Sequence, residues 1–96
     1  MNFISIDIYR NIIQLEVFSI YNYRKNSILQ NELIIPISFT MGDKLEYIRK
    51  FISVIINQKK VKKAYLNIKD KLEVDTIKIE GSLEEMLASY GVEICN

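Results

Sequence analysis

Histidine and tryptophan are absent from this 96-residue chain, cysteine and proline occur once each, and glycine three times. Each shortage excludes something. Without His there is no imidazole to activate a Ser or Cys nucleophile, and the common zinc ligand sets cannot be assembled. The lone Cys95 can form no intramolecular disulfide, which fits a reducing compartment. With no His beside it, it reads as a small apolar strand residue rather than a nucleophile. Three scattered glycines supply no phosphate-cradling loop. No apolar run approaches the roughly 20 residues of a membrane helix. The start, Met1 to Asp7, lacks the basic region and long apolar stretch of a signal peptide. The expectation is a soluble cytoplasmic protein with no membrane partner.

Charge of one sign is also missing. Thirteen basic and twelve acidic residues leave a formal charge of +1, so no global field draws in nucleic acid. What the chain does have is isoleucine, against only two alanines, Ala64 and Ala88. Ile is β-branched, stiff at χ1 and suited to pleated surfaces, which predicts a strand-rich domain. Residues 1–96 are expected to form a single small domain.

Ile4, Ile6 and Ile8 alternate with Phe3, Ser5, Asp7 and Tyr9, predicting a strand over 3–9. Arg10-Asn11 reads as a tight turn. A second strand over 12–23 changes phase from Ile13, Leu15 and Val17 to Phe18 and Ile20, predicting a bulge near Val17–Phe18. Residues 23–27 read as a polar connection and 28–39 as a third strand, with Leu33, Ile35, Ile37 and Phe39 on one face. Pro36 marks that strand as an edge or a bulged one. These three strands form an antiparallel meander.

A helix follows, with Thr40 or Asp43 as its cap and Leu45, Ile48, Ile52 and Ile55 as its apolar stripe. It ends at residues 57–60, and a fourth strand covers 61–68. A short strand is expected at 75–80, with a helical turn as its rival. Ser82 and Glu85 then spell a capping box for a helix over 83–90. Gly91 stops that helix, and a short strand over 92–95 closes the chain. The fold class is α/β: an antiparallel three-strand meander, then helix-strand-helix-strand, with helices packed on one mixed sheet.

This order, with Asp7 inside Ile4-Ser5-Ile6-Asp7-Ile8-Tyr9-Arg10-Asn11, resembles the ribonuclease H-like superfamily of RuvC-type resolvases and actin-like ATPases. The resemblance implies a sheet whose first strand carries a functional Asp. The glycine that usually follows that Asp is replaced by Ile8-Tyr9. The fourth strand reads Leu66-Asn67-Ile68-Lys69-Asp70, where a nuclease ends in an acid. The acidic site implied by the resemblance is therefore incomplete.

Three candidate sites emerge. Asp7 with Asp70 or Glu80 would hold Mg²⁺ in a metal-dependent nuclease, because hard cations take converging carboxylates. Lys59, Lys60, Lys62 and Lys63 form a basic corner that would hold nucleic-acid phosphates, or else lie solvated. Tyr9, Tyr21 and Tyr23 cluster at the ends of the first hairpin and its connection, and Tyr supplies rigid contact area with a polar tip. The long, Ile-rich, weakly charged second and third strands invite pairing with another chain. The favoured reading is a non-catalytic binding or regulatory protein acting through its sheet edge and Tyr-bearing hairpin, without cofactor. A small phage or mobile-element inhibitor has this size. Its partner is expected to be a protein, with a homodimer plausible and nucleic acid the lesser alternative.

Overall fold

The structure, a computed structural model, describes residues 1–70 and 73–95. In chain order it contains β1 (Asn2–Ile8), β2 (Ile12–Tyr21), β3 (Arg24–Ile34), α1 (Met41–Lys59), β4 (Val61–Ile68), α2 (Val74–Ser89) and β5 (Glu93–Cys95). The sheet runs β3-β2-β1-β4-β5. β1–β2 and β2–β3 are antiparallel, and β1–β4 and β4–β5 are parallel. A meander thus occupies one side of β1 and two crossover strands the other.

Period-two alternation on β1 and β2 puts Ile4, Ile6, Ile8, Ile13, Leu15 and Val17 on one face, all buried. Ile48, Ile52, Ile55 and Ile56 of α1 meet them there, as do Ile79, Leu83, Met86 and Leu87 of α2, in one apolar cluster. Both helices therefore cover the same face. They are tied to each other by Lys44 on α1, whose buried ammonium lies 3.2 Å from Asp75 on α2.

α1 starts as its sequence predicts, with the Thr40 hydroxyl accepting from the Asp43 amide at 3.2 Å. Gly91 ends α2 in the left-handed region, φ 73°, and the Val92 amide donates back to the Leu87 carbonyl at 2.9 Å. The slip at Val17–Phe18 is present, but the extra residue is on the neighbouring strand: Val17 opposes Leu29 and Phe18 opposes Ser27, leaving Ile28 unpaired.

Four expectations are corrected. The polar stretch 23–27 is not a connection, because the hairpin turns at Asn22-Tyr23, both at positive φ, and β3 begins at Arg24. That strand ends at Ile34, so Pro36 lies beyond it, and Ile37 is exposed rather than in the core. Residues 75–80 are helix, not strand. Ser82 consequently caps nothing and sits inside α2, whose buried residues Thr76, Ile79, Leu83, Met86 and Leu87 recur at helical steps. The start of α2 is anchored by the buried Thr76 hydroxyl, 2.7 Å from the carbonyls of both Asp70 and Glu73. Leu72, just before this segment, lies outside the described residues.

Candidate functional site

The second face of the sheet carries the residues that alternate with the core. Neither helix packs there. Cross-strand register arranges them in rows. Phe3 and Phe18, in register, stack at 5.4 Å, and Tyr65, one row further on in register with Ser5, stacks on Phe3 at 6.4 Å. The Lys25 ammonium lies 5.1 Å from the Phe18 ring centre.

The next rows are polar and follow one rule: each carboxylate is matched to an amide. Asn67 on β4 is in register with Asp7 on β1, and its amide donates to the Asp7 carboxylate at 3.0 Å. Gln14 donates to Glu32 at 3.1 Å and Gln30 to Glu16 at 3.0 Å. The bond from Gln30, with the Lys25 ammonium beside it, holds the Glu16 carboxyl at about 2, well below its ordinary 4.5. Ser5, Asp7, Gln14, Glu16, Gln30 and Glu32 line a shallow hollow of about 510 Å³ on this face. These amides escape a search for chemical motifs. Their trace in the sequence is slight: Gln14 shares strand parity with Glu16 and Gln30 with Glu32, whereas Asn67 has no acid on its own strand.

The proposed metal ligands are dispersed. Asp70 sits past the end of β4, and its carboxylate accepts from the Arg10 backbone amide at 2.8 Å. Glu80 lies on α2, in the helical layer, whereas Asp7 alternates with the core residues Ile6 and Ile8 and so faces away from that layer. Burial pushes the Glu80 carboxyl upward, and the neighbouring Glu84 charge adds to it. Among the described residues, no group of three or more His, Cys, Asp or Glu is placed to hold a metal ion. The β4 residue in register with Asp7 is the neutral Asn67, not an acid.

The basic corner also spreads out. Lys59 ends α1, and its carbonyl accepts from the Asn2 side chain at 2.6 Å. Lys60 is the left-handed cap, φ 51°. Lys62 is the unpaired residue of the β1–β4 ladder, and Lys63 lies 3.7 Å from Glu93 on the uncovered face.

The tyrosines separate into two groups. Tyr9 is half-buried at the β1–β2 turn, beside Arg10, Asn11 and Asp70. Tyr21 and Tyr23 are exposed at the other end of β2, roughly 30 Å away along a ten-residue strand. Ile20 is exposed beside them. Cys95 is half-buried on β5 in register with Tyr65.

Among the described residues β3 is the outer strand of the sheet, eleven residues long and paired with a strand on one edge only; the Asn31 side-chain oxygen accepts from the Glu32 amide at 2.8 Å. Along it runs a groove of about 580 Å³ between the strand and α1, lined by Leu29 and Asn31 on β3 and by Tyr47, Phe51, Val54 and Ile55 on α1. Its walls are largely apolar. An extended segment laid on the β3 edge would direct alternate side chains into this groove.

No family model and no curated protein matches the sequence. Solved structures do match in fold. Thermus thermophilus RuvC superposes with a TM-score of 0.84 at 10% identity, covering 98% of this chain and 61% of that one. The same protein in complex with a Holliday junction substrate gives the same score and identity, with 63% of its chain covered. The Ppx/GppA family member of Aquifex aeolicus matches at TM-score 0.61 and 22% identity, over 99% of this chain and 35% of that one. The chain thus spans less than two thirds of the length of each. The strand order, the single helical layer and these superpositions together identify the fold of this chain as ribonuclease H-like, of the kind found in RuvC and Ppx/GppA.

Proposed function

We propose that the chain is a non-catalytic binding protein that recognises a protein partner through the β2–β3 hairpin tip and the adjoining β3 edge. The observation that carries this is Tyr23. It is fully exposed and held at φ 62°, where glycine is the residue without penalty and the left-handed conformation costs an L-residue roughly 1–2 kcal/mol. Folding gains little from an aromatic ring at that position. A local rule broken without structural return is the mark of a residue kept for contact with something else. Tyr21 and Ile20 extend the same apolar tip.

The test is native mass spectrometry of tagged protein recovered gently from its own cells, comparing the wild-type chain with Tyr23→Gly. Retained partner should fall at least about tenfold, the scale of an aromatic anchor at an interface. The variant should melt no lower than wild type, because the turn is relieved of strain. Equal retention by both chains would remove the tip from the interface.

A second reading is supported by the likeness to RuvC, one structure of which holds a Holliday junction substrate. It makes the chain a metal-dependent nuclease using Asp7 with Asp70 or Glu80 and Mg²⁺. That reading expects cleavage of branched DNA that needs Mg²⁺ or Mn²⁺ and vanishes in Asp7→Asn. The amide-for-acid exchange at Asn67 counts against it. Nucleic-acid binding without cleavage, through Lys59, Lys60, Lys62 and Lys63, would show itself as affinity falling steeply with salt.

A further inference from the structure

The free edge of β3 reads Ile28-Leu29-Gln30-Asn31-Glu32-Leu33-Ile34. In chemical terms this is a palindrome about Asn31: Ile with Ile, Leu with Leu, and an amide with a carboxylate. We infer that the partner of this edge is a second copy of the chain, its β3 antiparallel to the first about a twofold axis at Asn31. The inference rests on the reading of the β3 edge as a docking surface, and it supplies the occupant.

Antiparallel strands related by a twofold axis place directly opposed residues on the same face. With the axis at Asn31, Ile28 meets the second copy's Ile34 on the uncovered face. Both are exposed in the single chain, 40% and 65%, without a packing role there. Gln30 meets the second copy's Glu32, repeating the amide–carboxylate pairs that β2 and β3 already form, Gln14 with Glu32 and Gln30 with Glu16. On the helical face Leu29 meets the second copy's Leu33, over the apolar groove beside α1.

Shifted registers lose these matches. An axis at Glu32 opposes two carboxylates, and an axis at Gln30 sets Ile28 against Glu32. Slippage by one residue in one copy alone would turn every side chain to the wrong face.

The features that blunt sheet edges are bulges, Lys and Pro. All three are present on this margin, but at its ends: the Ile28 bulge and Lys25 on one side, Pro36 on the other. The stretch between them, from the bulge to Ile34, has neither Lys nor Pro. It holds six of the seven residues of the palindrome; the seventh, Ile28, is the bulged residue at its end.

Sedimentation velocity of the full chain in the low micromolar range should show a dimer. Ile34→Lys should raise the dimer dissociation constant at least about tenfold, because each dimer then loses two apolar Ile28–Ile34 pairs and carries a charged side chain on the paired edge at both places. Its circular dichroism spectrum should not change, since Ile34 is exposed in the single chain. In a Cys95→Ser background, single cysteines placed at each position from 29 to 33 should cross-link on mild oxidation fastest at 31, the one position that opposes itself. A monomeric wild-type chain, a dimeric Ile34→Lys, or a cross-linking maximum elsewhere would each overturn the proposal. Tyr23→Gly should leave the dimer intact, so failure of the dimer and failure of the hairpin-tip reading are separable.

Discussion

Ile6→Ala should destabilise the domain by about 3–4 kcal/mol, the usual cost of truncating a fully enclosed aliphatic side chain. Ile6 has 0% of its surface exposed, on the central strand, flanked by Leu15 of β2 and Leu66 of β4 and roofed by the two helices. β1 is paired on both edges, so its backbone cannot move inward to fill the space. A domain of this size commands roughly 5–15 kcal/mol in all, and the loss is a large part of it. Urea unfolding at constant m-value measures it. A shift under about 1 kcal/mol, the range of tolerated volume-conserving swaps, would place Ile6 outside the core. Ser5→Ala, one residue away on the uncovered face, serves as the control and should be nearly silent.

Asp75→Ala should cost about 2 kcal/mol by leaving the Lys44 ammonium buried without its ion-pair partner. The figure lies below the 3–5 kcal/mol typical of fully enclosed pairs because Asp75 keeps 41% of its side-chain surface in water. Lys44→Met carries the complementary expectation. An unbranched apolar side chain of similar length fits the same space, so the α1–α2 contact should survive with little loss. Combining Lys44→Met with Asp75→Ala should recover most of the stability lost in Asp75→Ala alone. If the double variant is as unstable as Asp75→Ala, Asp75 acts through the first turn of α2 and not through Lys44.

The parts of the fold visible in the sequence are those where burial and periodicity agree. Ile4, Ile6 and Ile8 announce β1, the Ile48–Ile52–Ile55 spacing announces α1, and Gly91 announces the end of α2. The misreadings occur where exposure removes that agreement. Arg24 to Ser27 look like a loop because an outer strand with wet flanks can be polar on both faces. Val74 and Ile77 suggest a strand because they are apolar, yet both are exposed on α2. Thr76, a polar residue, takes the buried position at the start of that helix. The amide opposite Asp7 was hidden for a different reason. Asn67 is 60 residues away, and only the parallel register of β4 on β1 brings the two together. Hydrophobic patterns specify which face a residue occupies, not which residue stands beside it on the next strand.

The late arrival of β4 beside the central strand also bears on how the chain is made. At roughly 5–20 residues per second, the ribosome needs about 3–12 s to add the 60 residues separating Asp7 from Asn67. A hairpin closes in about 1–10 μs. β1, β2 and β3 can therefore pair long before α1 and β4 are available, leaving the outer margin of β1 open and its isoleucine face bare. A nascent chain halted before Val61 presents that surface to its neighbours on the polysome, and the stretch from α1 through β4 protects it.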